Sequence, residues 1–143
     1  MKFIRLIYFL LLISLAAGSA SCQQGKNTNA VASTVSAPEF KKVVDQKEGI
    51  LLDVRTPEEF AEGHLPGAIN IDYNAPGFKE ELNKLDKTKT YEVYCRSGKR
   101  SGNATNLMVS EGFNKVINLD GGILAWQETV SYTHLTLPTS DLV

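Results

Sequence analysis

The sequence lacks an excess of basic charge and has few of the side chains that bind metals or form disulfides. Its 143 residues carry 15 Lys and Arg against 16 Asp and Glu, a formal net charge of -1. Nucleic-acid-binding domains usually present a basic stripe, so we do not expect nucleic acid as a partner. Two cysteines, Cys22 and Cys95, exclude a scaffold of several disulfides, and with His64 and His134 they show no zinc spacing. We therefore expect no metal site and no cofactor.

The first 21 residues have the pattern of an export signal. Lys2 and Arg5 precede an apolar run over residues 6–17, and this run is too short to span a bilayer. We predict a signal peptide over residues 1–21. The rest of the chain is then expected outside the cytoplasm, in the periplasm or at the cell surface.

Cys22 resembles the lipid-attachment cysteine of bacterial lipoproteins. Small residues precede it, although Ser19 stands where that pattern usually has leucine. Cleavage by the ordinary signal peptidase near Ala20 or Ser21 is the alternative. The polar composition of residues 22–37 cannot bury a core, so we predict a flexible tether there. Acyl chains on Cys22 would hold the domain at a bacterial membrane.

The end of the chain has the period of neither a helix nor a strand. Its segment VSYTHLTLPT, residues 130–139, matches one reading frame of a transposase sequencing adapter. We interpret residues 130–143 as a read-through tail that is not native, with an unusual natural tail as the alternative, and assign no function to His134. The domain is then predicted over residues 38–129.

Between these ends, short apolar runs alternate with helical segments. The strand candidates are short and rich in aliphatic residues: 50–54, 68–71, 91–94 and 116–119. Helical spacing, an early proline or a terminal glycine marks residues 38–46, 57–62, 78–85 and 100–111. This order predicts one α/β domain, a parallel sheet with helices on both faces, which we expect to be a monomer. Functional side chains are then expected at the carboxyl ends of the strands.

The segment CRSGKRS, residues 95–101, lies between a predicted strand and a predicted helix. A loop at this place can turn its backbone N–H groups toward one point at the positive end of the helix dipole, which suits an anion. Nearby cations at Arg96, Lys99 and Arg100 are expected to lower the pKa of the Cys95 thiol and to favour the thiolate at neutral pH. A buried, inert cysteine beside a solvated charge run is the alternative.

Two small residues of this segment are expected to shape it. Gly98 permits a backbone conformation that other residues disfavour, and Ser101 is a candidate cap for the helix that follows.

Three segments together resemble the signature regions of single-domain rhodaneses, which are sulfurtransferases. They are the cysteine loop, LLDVRTPEEFAEGHLPGAINI (residues 51–71) and GFNKVINLDGGILAW (residues 112–126). The resemblance implies a rhodanese-like parallel sheet of about five strands. It also implies that Cys95 is the nucleophile that accepts sulfur. The predicted substrate-binding loop consists of Arg96, Ser97, Gly98, Lys99, Arg100 and Ser101.

The resemblance further implies a two-step transfer of sulfur. The Cys95 thiolate attacks the outer sulfur of a donor such as thiosulfate, which releases sulfite and leaves a persulfide. A nucleophilic acceptor, cyanide in assays or a thiol in the cell, then removes that sulfur. A persulfide carrier that delivers sulfur to a partner protein is the first alternative.

The second alternative is an enzyme that acts on phosphate-like oxyanions, such as a phosphatase or an arsenate reductase. The related enzymes of this kind have five residues between cysteine and arginine, whereas four residues separate Cys95 from Arg100. A tetrahedral oxyanion needs a wider ring of donors than a single sulfur atom. The shorter loop therefore favours sulfur transfer.

The resemblance also implies that Asp53 and Arg55 border the predicted pocket. They either organise the cysteine loop or form a plain salt bridge at the end of a strand. Arg100 has two open interpretations as well, since it either attracts an anionic donor or is held by a carboxylate such as Asp53.

Other residues near the site have structural interpretations. Pro57, Glu58 and Glu59 are typical of a helix start. His64 is interpreted as a turn histidine that hydrogen-bonds the backbone, and Trp126 as a core residue. Residues 120–122 are interpreted as a tight turn whose lack of side chains keeps the mouth of the pocket open.

Overall fold

Five parallel strands form the sheet. In the computed structural model, which describes residues 30–135, they are β1 Val31–Val35, β2 Ile50–Asp53, β3 Ile69–Asn70, β4 Thr90–Tyr94 and β5 Lys115–Leu119. Their order across the sheet is β1-β5-β4-β2-β3, and every neighbouring pair is parallel. The helices are α1 Ala37–Gln46, α2 Pro57–Ala61, α3 Phe78–Asn83, α4 Lys99–Ser110 and α5 Gly122–Leu135. The predicted α/β fold is confirmed. The predicted signal peptide and Cys22 lie outside the described residues.

Helices cover both faces of the sheet. Helices α3 and α4 bury one set of side chains against it: Phe78, Leu82, Ala104 and Met108. Helices α1 and α5 cover the other face, where Phe40 and Ile123 pack with Leu119. Trp126 contacts Phe40 edge to face, with the ring centroids 6.2 Å apart, and this confirms its interpretation as a core residue. No helix of the described residues is long and apolar enough to cross a membrane.

The strand β1 corrects the predicted domain boundary, because it lies in the segment that we expected to be a flexible tether. It pairs in register with β5, from Val31 beside Lys115 to Val35 beside Leu119. An edge strand hydrogen-bonds on one side only and tolerates small polar residues, so VASTV has a composition that also suits a linker. The folded domain therefore includes residues from Val31 onward, rather than beginning at residue 38.

Helix α5 differs from expectation at its end. Regular structure was expected to stop near residue 130, but the helix continues to Leu135. The origin of residues 130–143 outside the native gene stays a prediction, since a short non-native segment can also extend a helix.

The start of α2 fixes a carboxylate that matters at the site described below. Pro57 occupies the first turn, and the Thr56 hydroxyl accepts a hydrogen bond from the Glu59 backbone N–H at 3.3 Å. The Glu59 carboxylate in turn accepts the Thr56 N–H at 3.2 Å. This capping box confirms the predicted helix start and holds the Glu59 side chain in one orientation.

Glu92 is a buried carboxylate in the middle of the sheet. It lies on β4 between Leu51 and Ile117 of the neighbouring strands and is 2% exposed. Its Oε1 atom has no hydrogen-bond partner, and the space that it occupies exists because residue 49 is glycine. Burial raises the pKa of Glu92, and the positive charge of Lys115 opposes that rise.

We expect Glu92→Gln to raise the free energy of unfolding by about 1 kcal/mol near pH 8, because an amide carries no buried charge. An exposed glutamate has a pKa of 4.5. Because folding raises the pKa of Glu92, the wild type is most stable below the ordinary pKa of 4.5. It loses stability as the pH rises from there through the folded pKa. The advantage of the variant should therefore vanish near about pH 4. Urea unfolding at both pH values checks this, with exposed Glu62→Gln as the control. An equal advantage at both pH values would contradict it.

Candidate active site

Cys95 lies at the carboxyl end of β4, where the sequence placed it. Its side chain is 0% exposed and belongs to the core layer beneath α4. The three residues after it lead into the first turn of α4. The sulfur therefore lies at the carboxyl edge of a parallel sheet, which is where such folds usually bind ligands.

Hydrogen-bond donors of the cysteine loop and of the first turn of α4 surround the Cys95 sulfur. The backbone N–H of Gly98 lies 3.2 Å from Sγ, and the Ser101 hydroxyl lies 3.4 Å from it. Burial raises the pKa of the Cys95 thiol, but hydrogen bonds from the Ser101 hydroxyl and from the amides of Ser101, Ser97 and Gly98 outweigh it and leave the pKa below its ordinary value. The predicted low pKa is confirmed in direction, and hydrogen-bond donors rather than the loop cations are its main cause.

Ser101 has a different place from the one predicted for it. Gly98 is the residue that caps α4, with a φ of 88°. Ser101 lies inside the first turn, where its hydroxyl is near both the cysteine sulfur and the Gly98 carbonyl oxygen at 3.1 Å. The glycine is required because a Cβ atom at Gly98 would lie 3.1 Å from the Gly121 nitrogen and 3.2 Å from the Leu119 oxygen.

We expect Ser101→Ala to raise the pKa of the Cys95 thiol by about one, because the thiolate loses a hydroxyl donor. The pH dependence of Cys95 alkylation by iodoacetamide measures this pKa. Ser110→Ala is the matched control, since Ser110 is on the same helix and its hydroxyl bonds the Leu107 carbonyl. An unchanged alkylation profile in Ser101→Ala would show that the backbone amides alone set the thiol pKa.

Asp53 and Arg55 pair with each other and are both buried. The Arg55 guanidinium donates to the Asp53 carboxylate at 2.7 and 3.0 Å and to the Gly63 carbonyl at 2.7 Å. It also lies over the Tyr94 ring, 5.7 Å from the centroid. Burial lowers the pKa of Arg55. The hydrogen bond to Asp53 and the negative charge of Asp53 outweigh burial and leave the pKa above its ordinary value. The pair joins the end of β2 to the turn at Gly63, which supports the salt-bridge interpretation.

One interpretation paired Arg100 with Asp53, and the structure contradicts that pairing. Its guanidinium binds the Glu59 carboxylate at 2.7 and 2.8 Å. This hydrogen bond is the main reason that the pKa of Glu59 falls to about 2. The same bond raises the pKa of Arg100, burial opposes the rise, and the charges of Glu59 and Cys95 add to it. Arg100 is thus held by a carboxylate, and the carboxylate is Glu59.

The turn after β5 and the start of α5 hydrogen-bond the backbone of the cysteine loop. The Ile123 N–H donates to the Cys95 carbonyl at 2.8 Å, and the Leu124 N–H donates to the Arg96 carbonyl at 3.3 Å. A Cβ atom on Gly122 would lie 2.5 Å from the Cys95 carbonyl oxygen and from the Arg96 carbonyl. The glycines of residues 120–122 therefore let two backbone segments meet, rather than keeping the mouth of the pocket open.

The remaining loop residues face solvent. Arg96, Ser97 and Lys99 are exposed, and neither cation is in an ion pair among the described residues. His64 lies apart from the sulfur: its Nδ1 is 2.9 Å from the Phe60 carbonyl oxygen and its ring stacks on Phe60, which confirms its structural interpretation. Within residues 30–135, no three His, Cys, Asp or Glu side chains come together in a way that could hold a metal ion.

Comparison with known proteins agrees with this geometry. Residues 36–129 match the family described as "Rhodanese-like domain". A "Sulfurtransferase" of Allochromatium vinosum is 34% identical over 86 residues, which are 60% of this chain and 78% of the relative. A "Putative sulfurtransferase YtwF" of Bacillus subtilis is 40% identical over 87 residues, 61% of this chain and 82% of the relative. A "Putative sulfur carrier protein YrkF" of the same species is 36% identical over 93 residues, 64% of this chain and 49% of the relative.

Solved structures show the same fold. A rhodanese-related protein of Thermoplasma volcanium has a TM-score of 0.60 and 31% identity, and the match covers 68% of this chain and 92% of that one. The human single-domain sulfurtransferase TSTD1 has a TM-score of 0.55 and 31% identity, with 66% of this chain and 95% of that one covered.

Proposed function

Because the chain belongs to the rhodanese-like domain family, we propose that it moves sulfane sulfur from thiosulfate to a thiophilic acceptor through a persulfide on Cys95. The observation that carries the proposal is the Cys95 sulfur itself, which receives hydrogen bonds from the Gly98 amide and the Ser101 hydroxyl at the end of β4. A thiolate in such a cradle is both available and stabilised.

The first step is an attack of the Cys95 thiolate on the outer sulfur of thiosulfate. A new S–S bond forms to Cys95, the old S–S bond breaks, and sulfite leaves with its electron pair. In the second step cyanide or a thiol attacks the outer sulfur of the persulfide, and Cys95 leaves as a thiolate. The donors that stabilise the first thiolate serve again when it is released.

The charges around the site suit an anionic donor. Arg100 is neutralised by Glu59, so the exposed cations Arg96 and Lys99 are the ones that attract thiosulfate from solution. The hydrogen bonds on the sulfur lower the pKa of the Cys95 thiol, which increases the fraction that is thiolate at a given pH.

A persulfide carrier is the second candidate. The similar protein of Bacillus subtilis named as a putative sulfur carrier supports it. Such a carrier would load sulfur once and release it slowly until its partner protein is present. An enzyme would turn over many times with thiosulfate and cyanide alone.

Intact mass spectrometry tests the proposal with the full chain carrying Cys22→Ser, in which Cys95 is the one remaining cysteine. Incubation with thiosulfate should add one sulfur atom to the protein, and cyanide should then remove it. A folded protein that gains no sulfur would exclude thiosulfate as the donor.

We also propose that the chain is exported and held at a bacterial membrane through lipid on Cys22. The charged start, apolar run and small residues before Cys22 support this. We expect labelled palmitate to enter the wild-type chain and not Cys22→Ser when each is produced in a bacterium that processes lipoproteins. Equal labelling of both, or of neither, would contradict it.

A further inference from the structure

Glu59 and Arg100 are 41 residues apart in the chain, yet their side chains form a two-bond ion pair. The oxygens and nitrogens lie 2.7 and 2.8 Å apart, and each side chain is 23% exposed. A bidentate pair of this kind fixes the plane of the guanidinium as well as its distance. A helix cap alone does not require such a partner.

Arg100 belongs to the first turn of α4, which also carries a donor to the reactive sulfur. It precedes Ser101, whose hydroxyl contacts Cys95 Sγ at 3.4 Å, and the charge of Cys95 is among the causes that raise the pKa of Arg100. Arg96 and Lys99 are exposed instead. Among the loop cations that the structure describes, Arg100 is therefore the one whose side chain is fixed by an ion pair.

The Glu59 carboxylate is itself held in place. Its Oε2 accepts the Thr56 N–H at 3.2 Å while it also binds Arg100 at 2.7 Å. One carboxylate thus joins the start of α2 to the first turn of α4. Because the Glu59 carboxylate hydrogen-bonds both segments, it fixes the position of α4 relative to α2.

We propose that Glu59 is a positioning residue, which through Arg100 holds the first turn of α4 and so keeps the Gly98 amide and the Ser101 hydroxyl on the Cys95 sulfur. Its effect on turnover rests on the proposed sulfur transfer, whereas its effect on the thiol does not. The pKa of Glu59 is about 2, so the ion pair stays intact at every pH at which the thiol is studied.

The sign of one measurement separates this role from a simple charge effect. Removing a nearby negative charge lowers the pKa of a thiol, because the thiolate is then repelled less. Glu59→Gln should instead raise the pKa of the Cys95 thiol by about one, because Arg100 no longer holds the first turn of α4 and the donors on the sulfur move away. It should also lower kcat/KM for thiosulfate by about tenfold.

The test is a double-mutant cycle in the full chain carrying Cys22→Ser. It compares Glu59→Gln, Arg100→Gln and the double variant, with alkylation of Cys95 by iodoacetamide as the readout of the thiol pKa. In the Arg100→Gln background, Glu59→Gln should leave the pKa unchanged or lower it. Arg100→Lys is the second variant at this position, since it keeps the charge and loses the two-bond pair. Glu58→Gln is the matched control, because Glu58 is exposed in the same first turn and interacts with Thr56.

The outcomes are distinguishable from failure of the proposed function. If Glu59→Gln lowers the thiol pKa, or has the same effect with and without Arg100, the positioning role is wrong even in an active sulfurtransferase. If Cys95 takes up no sulfur but its pKa depends on Glu59 through Arg100, the positioning role stands and the proposed function fails. Thermal unfolding of each variant shows whether it is folded, and an unfolded Arg100→Gln is replaced in the cycle by Arg100→Lys.

Discussion

Cys95→Ser should lower the rate of sulfur transfer from thiosulfate to cyanide by about a thousandfold or more, as removal of a catalytic nucleophile does in other enzymes. A serine hydroxyl keeps nearly the same volume in this fully buried position, so the fold should remain. Its proton is held far more tightly than that of a thiol, and the cradle of the Gly98 amide and the Ser101 hydroxyl cannot turn it into an anion at neutral pH. The release of thiocyanate measures the rate.

The matched control for this variant is Cys22→Ser, which replaces the other cysteine of the chain. It should keep the full rate of the wild type. Thiocyanate release by Cys95→Ser at a rate near that of the wild type would mean that sulfur passes through another group, and the persulfide mechanism would be wrong.

Gly122→Ala should lower the free energy of unfolding by about 3 kcal/mol or more and abolish sulfur uptake. The new Cβ atom would lie 2.5 Å from backbone atoms of Cys95 and Arg96. The Ile123 N–H donates to the Cys95 carbonyl between the same two segments, so moving them apart would lengthen this hydrogen bond. The residue also has a φ of +61°, which alanine disfavours.

Two other glycines separate these causes in the same unfolding experiment. Gly112 has a φ of +91° with no atom within 4 Å of an added Cβ, so Gly112→Ala should cost only about 1 kcal/mol. An added Cβ on Gly102, inside α4, has the Asn118 amide nitrogen at 3.7 Å as its neighbour, so Gly102→Ala should stabilise by about 0.5 kcal/mol. If Gly122→Ala lowers the free energy of unfolding by no more than Gly112→Ala does, the close backbone contact does not affect stability.

The cysteine loop could be predicted from the sequence because all of its signals are local. A short apolar strand, a cysteine, a glycine and the start of a helix follow one another within a few residues of Cys95. Each element restricts the backbone of the next, so their order alone places the sulfur at the edge of the sheet. Which donors contact the sulfur could not be predicted from the sequence, because that depends on the exact residue at which α4 begins. Gly98 rather than Ser101 caps α4, and this detail depends on the close approach of the turn after β5.

Contacts between distant segments could not be predicted in the same way. Nothing near Glu59 or Arg100 in the sequence indicates that they pair, since the pair exists only after α2 and α4 have packed at the same edge. The alternative partner Asp53 lies at the end of β2, but it already pairs with Arg55, two residues away in the chain. The strand β1 was missed for a related reason, because its pairing with β5 joins residues about as far apart in the chain as any in the domain.

The complete burial of Cys95 has a consequence for which disulfides can react with its sulfur. A bulky disulfide cannot reach a sulfur that has no exposed surface, so the resting protein resists the mixed disulfides that trap exposed cysteines. In the proposed persulfide the transferred sulfur atom would lie about 2 Å from the cysteine sulfur, and the next residues of the loop, Arg96 and Ser97, are exposed. We therefore expect large disulfide reagents to react with Cys95 far more slowly than a small reagent such as iodoacetamide.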